Sequence, residues 1–381
     1  MIRIEEFHAG SLEQGYQYKY FLPTRIHDAW KWESSDITIL LEKAATRLGE
    51  LNSFSKFVPN IDMFIQSHVI NEAVQSSKIE GTQTNVEEAA MPLDEIQPER
   101  KDDWTEVNNY IKAINSAIGK LEQLPLSSRL IKQTHQILLD SVRGTHKSPG
   151  EFRTSQNWIG GASIADARFI PPAQEHVLDL MHDFECFINE DTSQLPTLIK
   201  AAIAHYQFET IHPFLDGNGR IGRLLITLFL VSEGVLEKPL LYLSHYFEIN
   251  KGLYYENLTA VRERGELGQW LKYFLVGVEQ TATDAIAKLK QILELQGQLM
   301  REINQNFGRK TPAAQQLLES LFKRPVIRVE HAEQICDLSY KSANNLIADM
   351  LKHNILEETT GNSRNRIFVF RRYLRIMSDA K

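Results

Sequence analysis

A twelve-residue stretch, His212-Pro213-Phe214-Leu215-Asp216-Gly217-Asn218-Gly219-Arg220-Ile221-Gly222-Arg223, lies between two segments that both read as helices, and it constrains the fold more than any other part of the chain. Upstream, Leu195, Leu198, Ile199, Ala202, Ile203 and Tyr206 recur at helical spacing. Downstream, Arg223 to Val231 is apolar on nearly every side, as in a helix buried within a bundle. Glycine weakens a helix and a buried charge cluster costs free energy, so this crowding points to a ligand. Successive glycine amides, the positive N-terminus of the following helix and the bidentate donors of Arg220 and Arg223 converge on a phosphate chain. Asp216 is ill placed beside an anion unless a divalent cation lies between them, the usual way of holding magnesium. His212 titrates near neutrality and can take a proton from a nucleophile.

Two other meanings of the stretch fail. Gly217, Gly219 and Gly222 match G-x-G-x-x-G, with Glu237 twenty residues past the first glycine. That fingerprint needs a preceding strand, and an amphipathic helix stands there instead. As a calcium loop, the sixth position would be Ile221 rather than glycine and the twelfth Thr227. The chain also has no G-x-x-x-x-G-K-[ST].

The 381 residues, 43% of them hydrophobic, suffice for two or three domains with their own cores. The longest apolar runs fall far short of the ~20 residues of a bilayer crossing, and the N-terminus is no secretory leader, so no membrane partner and a cytoplasmic location are expected. Cys186 and Cys336 lack metal-ligand spacing and read as small buried residues. A net charge of -7 argues against a general nucleic-acid coat protein.

Taken in order, the chain reads as mainly α. Residues 1–34 form an aromatic-bearing arm without steady period. Ser34 caps a helix with Ile37, Leu40, Leu41, Ala44, Leu48 and Leu51 on one face, and Asp62 opens a second helix that ends on Glu80 and Gly81. An acid at a helix C-terminus opposes the macrodipole, so Glu80 is either frayed and solvated or matched by a distant cation. Residues 83–103 are a polar connection, Asp103-Trp104-Thr105-Glu106 reads as a capping box, and a further helix runs from Ser127 or Ser128 toward Val142 with His135 packed or at the surface. Around Trp158, Ile159, Gly160 and Gly161, alternation followed by Arg168-Phe169-Ile170 signals a hairpin, about 150–172, lying as a flap with a free edge. A long amphipathic segment from Gly268 to about Phe307 leads to a boundary near 308.

The central stretch resembles the Fic-domain motif H-x-F-x-[DE]-G-N-G-R-x-x-R at every fixed position: His212, Phe214, Asp216, Gly217, Asn218, Gly219, Arg220 and Arg223. The resemblance implies a helical core with a hairpin flap and transfer of AMP from ATP to a protein Ser, Thr or Tyr hydroxyl, releasing pyrophosphate. It implies His212 as base, Asp216 as the magnesium ligand, Phe214 as a core anchor, and Gly217, Asn218, Gly219, Arg220, Ile221, Gly222 and Arg223 around ATP. Gly219 stands where family members that transfer phosphate depart from the motif. Ser76-Ser77-Lys78-Ile79-Glu80-Gly81 resembles the family's inhibitory motif [ST]-x-x-x-E-[GN], which makes Arg223 the cation for Glu80 and Ser76, Glu80 and Gly81 the inhibitory residues. The same carboxylate could instead orient water to remove AMP. The flap would align an extended segment of a target protein by strand addition. Tyr254 and Tyr255 lie in a stretch that lines the adenine pocket in similar proteins, against the plain alternative of core tyrosines.

The expected domains are 1–102 with the inhibitory helix at about 62–81, 103–308 as the Fic core, and 309–381 as a winged-helix module with helices at 311–322, 331–336 and 339–353 and a two-stranded wing through Gly361-Asn362-Ser363. Residues 309–381 hold 13 Lys and Arg against 8 Asp and Glu. They read either as a DNA reader, through Lys341, Asn344, Asn345, Arg364 and Arg366, or as a protein-docking wing. The chain as a whole is then an adenylyltransferase held off by its own Glu80, or a DNA-binding regulator with an ATP-sensing or self-modifying Fic domain. A homodimer fits either.

Overall fold

The structure is a computed structural model that describes residues 1–58, 61–140, 145–361 and 365–378. The aromatic arm is more regular than its sequence suggests. β1 (Ile2–Arg3) pairs in parallel with β4 (Trp30–Lys31), and β2 (Gly10–Gln14) forms an antiparallel hairpin with β3 (Lys19–Pro23), Gly10 opposite Pro23. These strands are edge pieces set by tertiary contacts. The Asp183 carboxylate, for instance, accepts the Ile26 N–H at 2.8 Å, and Trp30 stacks on Phe7.

α1 (Ser35–Phe57) starts where Ser34 accepts the Ile37 N–H, as the sequence predicts. α2 (Ile61–Ile79) follows. The connection after it contains α3 (Val86–Ala90), and it is here, on Asn85 and Glu88, that a capping box forms. The box expected at Asp103 does not form. α4 (Lys101–Leu121) begins two residues before Asp103, whose carboxylate instead accepts the Gln83 N–H at 2.9 Å. α5 (Ser128–Leu138) is capped by Ser127 and stops short of Val142, which lies outside the described residues.

α6 (Val177–Asn189), α7 (Thr197–Ile211) and α8 (Asn218–Ser232) form the centre. α7 departs from a one-sided stripe: every residue from Leu198 to Ile211 is buried, so its polar side chains must find partners inside the protein. α9 (Ser244–Ile249), α10 (Lys251–Arg264) and the 40-residue α11 (Leu267–Asn306) close the bundle, with α1 lying along α11.

The remainder comprises α12 (Thr311–Lys323), β5 (Val326–Ile327), α13 (Val329–Cys336), α14 (Tyr340–Lys352), β6 (Glu357–Glu358), β7 (Phe368–Val369) and α15 (Arg371–Ser378). Its antiparallel sheet has the order β5-β7-β6, one strand more than expected, and α15 is a further addition. Asn362, Ser363 and Arg364 lie outside the described residues. Gly160 and Gly161 take positive φ in the flap, whose two arms meet at a single bridge, Ile159 to Phe169, rather than in regular strands. Among the described residues no helix is long and apolar enough to cross a membrane.

Candidate active site

α7 delivers the chain to the site and α8 carries it away. His212 is the left-handed residue that ends α7 (φ 51°, ψ 60°), and Gly217 repeats that conformation (φ 75°) just before α8. The loop between these bends is fastened from inside. Asn218 accepts the Phe214 N–H at 2.8 Å and returns its own N–H to the Phe214 carbonyl at 2.8 Å. Its side chain therefore braces the loop and is committed to backbone.

Three residues not anticipated from sequence hold the same loop from outside. His135 accepts the Gly150 N–H at Nδ1 (2.9 Å), so its Nε2 carries the proton and donates to the Asp216 carbonyl (2.9 Å), while its ring stacks 3.7 Å from that of Phe214. Arg153 donates to the carbonyls of His212 (3.0 Å), Ile211 (3.3 Å) and Pro172 (2.5 Å). Asn157 donates to the Phe214 carbonyl at 2.9 Å. From below, His205 on α7 bonds the Gly222 carbonyl through Nδ1 at 2.8 Å and Tyr254 Oη through Nε2 at 2.9 Å. Periodicity could not have flagged these side chains, because each holds at least one backbone group distant in the chain.

Burial, followed by the positive charge of Arg153, pushes the His212 pKa down to about 4, so its imidazole is neutral around pH 7. Asp216 is half-exposed; its Oδ1 accepts the Gly217 N–H at 2.6 Å and lies 3.8 Å from Arg220 Nη2. Arg220 is buried, 3.3 Å from Glu106, and its carbonyl lies 3.1 Å from Tyr110 Oη. Glu209, one turn before His212 and absent from the sequence reading, is buried, and burial pushes its carboxyl up to about 7 against the opposing charge of Arg223.

Arg223 is 1% exposed and is held by the end of α2. Its Nε donates to Ser76 Oγ (2.9 Å), and its Nη2 donates to the Ser76 carbonyl (2.9 Å) and to Glu80 Oε1 (2.6 Å). Glu80 follows the last turn of α2, and Gly81 takes φ 110° directly after it. A Cβ on Gly219 would lie 2.4 Å from Glu80 Oε1 and 2.9 Å from Arg223 Nη1, so the loop's second glycine is the space in which the ion pair sits. The carboxylate thus occupies the volume directly over the glycine turn.

Tyr254 and Tyr255 part company. Tyr254 is 1% exposed, stacked 4.5 Å from Phe247 and tied to His205, and so belongs to the core beneath the loop. Tyr255 is 41% exposed. In the flap Trp158 is likewise open at 41%.

Residues 125–230 match the Fic/DOC family model and residues 38–119 match that family's N-terminal model. The chain carries a Fic/DOC domain. Its curated relatives include protein adenylyltransferase fic-1 of Caenorhabditis briggsae, 35% identical over 117 residues, covering 28% of this chain and 22% of the relative. Protein adenylyltransferase Fic of Drosophila virilis is 35% identical over 128 residues, covering 32% and 24%. This chain therefore spans about a quarter of the length of these relatives. Among solved structures, a Fic family protein from Desulfovibrio desulfuricans G20 superposes with a TM-score of 0.56 at 18% identity, over 89% of this chain and 96% of that one. A Fic-domain-containing signaling protein from Bacteroides thetaiotaomicron gives 0.51 at 18% identity, over 68% and 97%. These two establish the fold as Fic-type.

Proposed function

We propose that this Fic domain transfers AMP from ATP to a hydroxyl of a protein, its own chain included, releasing pyrophosphate, and that Glu80 holds the reaction off. The observation that carries this reading is the engagement of Arg223 by Ser76 and Glu80 over a glycine turn built for phosphates. The relatives named protein adenylyltransferase support the transfer reaction.

The neutral His212 takes the hydroxyl proton as the oxygen forms its bond to the α-phosphorus. The bond from that phosphorus to the bridging oxygen breaks, and pyrophosphate leaves with the electron pair. The Asn218 and Gly219 amides at the N-terminus of α8 neutralise phosphate charge, the Gly217 N–H being held by Asp216 Oδ1, and Arg220 and Arg223 align the terminal phosphates. Asp216, a half-exposed carboxylate at the mouth of the loop, suits magnesium held by one protein oxygen together with ATP oxygens, and the ion would supply charge neutralisation. Tyr255 is the open aromatic surface available to adenine.

A target would add as a strand beside Trp158, Ile159, Gly160 and Gly161. The opposite arm of the flap is already taken, since the Ile170 carbonyl accepts the Phe21 N–H at 2.9 Å, which leaves the 158–161 edge for an incoming segment. We read residues 1–102, 103–308 and 309–381 as inhibitory region, catalytic core and winged-helix module. Helices α12, α13 and α14 and the small antiparallel sheet of the last support that description.

Labelled ATP incubated with the purified chain and a cell extract tests the proposal. Glu80→Gly is expected to raise protein labelling at least about tenfold over wild type, and His212→Ala in that background to abolish it. A Glu80→Gly chain that labels nothing, itself included, overturns the reading.

A further inference from the structure

α2 is held at both ends by different parts of the chain. At 1.5 Å per residue its 19 residues span roughly 28 Å. Its last turn offers Ser76 and Glu80 to Arg223, whereas its first half lies under the C-terminal module. There α12 and α15 pack on it, and Ser67 Oγ donates to the Phe322 carbonyl at 3.4 Å. A straight helix of this length transmits a shift at one end to the other.

The segment 7 to 15 residues past Glu80 is also gripped by that module. Residues 86–99 contain Glu87, Glu88, Asp94, Glu95 and Glu99 and no Lys or Arg. Arg371 makes a two-pronged contact with Glu87 (2.8 and 3.2 Å), and Arg328 reaches both Asp94 (2.7 Å) and Glu95 (2.5 Å). Except for the 66% exposed Asp94, these side chains are only 24–30% exposed, so the pairs are better shielded from salt than ordinary surface bridges. Part of the positive excess of residues 309–381 is therefore spent within the chain, on the acids that flank the inhibitory turn. The contact is not sealed. An open cleft lined by Ile70 of α2, Ala89 and Ala90 of α3, and Lys323, Arg324 and Pro325 of the module runs through this junction.

We propose that residues 309–381 are the latch of the inhibitory helix. Docked on α2 and α3, they keep Glu80 on Arg223; lifted off, they let the last turn of α2 loosen and Arg223 turn to the nucleotide. This inference rests on the reading of Glu80 as the group that holds AMP transfer off.

The test uses the full chain with Arg328→Glu and Arg371→Glu together. Labelling from ATP rises about 5- to 10-fold over wild type, within the range of ordinary coupling between sites, and amide exchange of residues 64–80 quickens. In the Glu80→Gly background the same two changes add nothing, because there is no longer an inhibitor to release. Glu87→Arg combined with Arg371→Glu restores both slow exchange and low labelling, which a merely structural role for the arginines does not explain. If exchange quickens while labelling stays at the wild-type level, and Glu80→Gly labels strongly, the latch is overturned and the AMP-transfer reading stands. If Glu80→Gly is inactive, that reading falls, and exchange alone decides whether the module restrains α2. Should the double variant lose its cooperative melt, Arg328→Ala replaces it, with an expected rise of about twofold and the same dependence on Glu80.

Discussion

Arg223 Nη2 donates to Glu80 Oε1 across 2.6 Å, joining residues 143 positions apart in the chain. Burial alone would raise the Glu80 carboxyl, but the charge and hydrogen bond of Arg223 outweigh it and hold its pKa below the ordinary carboxylate value. A depressed carboxyl pKa means that the ion pair is fully present above the ordinary value and is lost only as pH falls through the depressed one. The ratio of Glu80→Gly to wild-type labelling is therefore expected to stay constant from about pH 6 to about pH 9. A ratio that falls toward one near pH 6 contradicts an inhibitory pair of this kind.

The stretch from His212 to Arg223 is legible because its chemistry is compressed into twelve adjacent residues, whose types point to an anion, a divalent cation and a base, while the family resemblance implies the individual roles. The partner of Arg223 was legible only through a second short motif; the helix-dipole argument by itself left Glu80 open between solvent and a distant cation. The four braces His135, Arg153, Asn157 and His205 were not legible. Each acts on a carbonyl or an amide, groups every residue possesses, so no residue pattern marks the partner. The strands within the arm at 1–34 are not legible for a related reason: they are two to five residues long and owe their shape to the surfaces they cover. In the C-terminal module, net charge leaves a DNA reader and a protein-docking wing both open, and it could not show that Arg328 and Arg371 pair with Asp94, Glu95 and Glu87 of the same chain.

His135 tests how far the loop depends on its braces. It is fully buried, holds two backbone groups and stacks on Phe214, and burial pushes its pKa down to about 4. His135→Ala should cost about 2–4 kcal/mol of stability and slow labelling in the Glu80→Gly background, with circular-dichroism melts and labelling rates as the measures. Glutamine can both accept from Gly150 and donate to Asp216, so His135→Gln should recover part of each loss. Because a histidine pKa lowered on folding withdraws stability as pH drops from about 6.5 to about 4, the glutamine variant should also lose less stability over that interval than wild type.

Glu72 on α2 carries the opposite sign. Its Oε1 receives the Ser244 hydroxyl at 2.5 Å and lies 3.2 Å from Tyr110 Oη, and burial pushes its pKa up to about 7 despite these contacts and the charge of Arg223. A carboxyl raised on folding carries no penalty below about pH 4.5 and its full penalty above about pH 7. Glu72→Gln imitates the protonated acid, so its stability should match wild type near pH 4.5 and exceed it at pH 8 by on the order of 3 kcal/mol. Denaturant titrations at the two pH values check this; equal differences at both would mean that Glu72 does not titrate in this range.

The adjacent tyrosines should separate cleanly in kinetics. Tyr254 is buried, and its hydroxyl reaches the Gly222 carbonyl only through His205, so Tyr254→Phe removes one buried hydrogen bond and leaves an unsatisfied imidazole nitrogen. The expected result is a loss of about 1–3 kcal/mol of stability with KM for ATP nearly unchanged in the Glu80→Gly background. Tyr255 is 41% exposed, its ring 5.1 Å from that of Tyr254, and it is the proposed surface for adenine. Tyr255→Ala should raise KM for ATP by roughly five- to tenfold, the worth of one aromatic stacking contact, while the melting temperature stays within a degree or two. A KM shift for Tyr254→Phe and none for Tyr255→Ala would move adenine off this surface and require another wall for it.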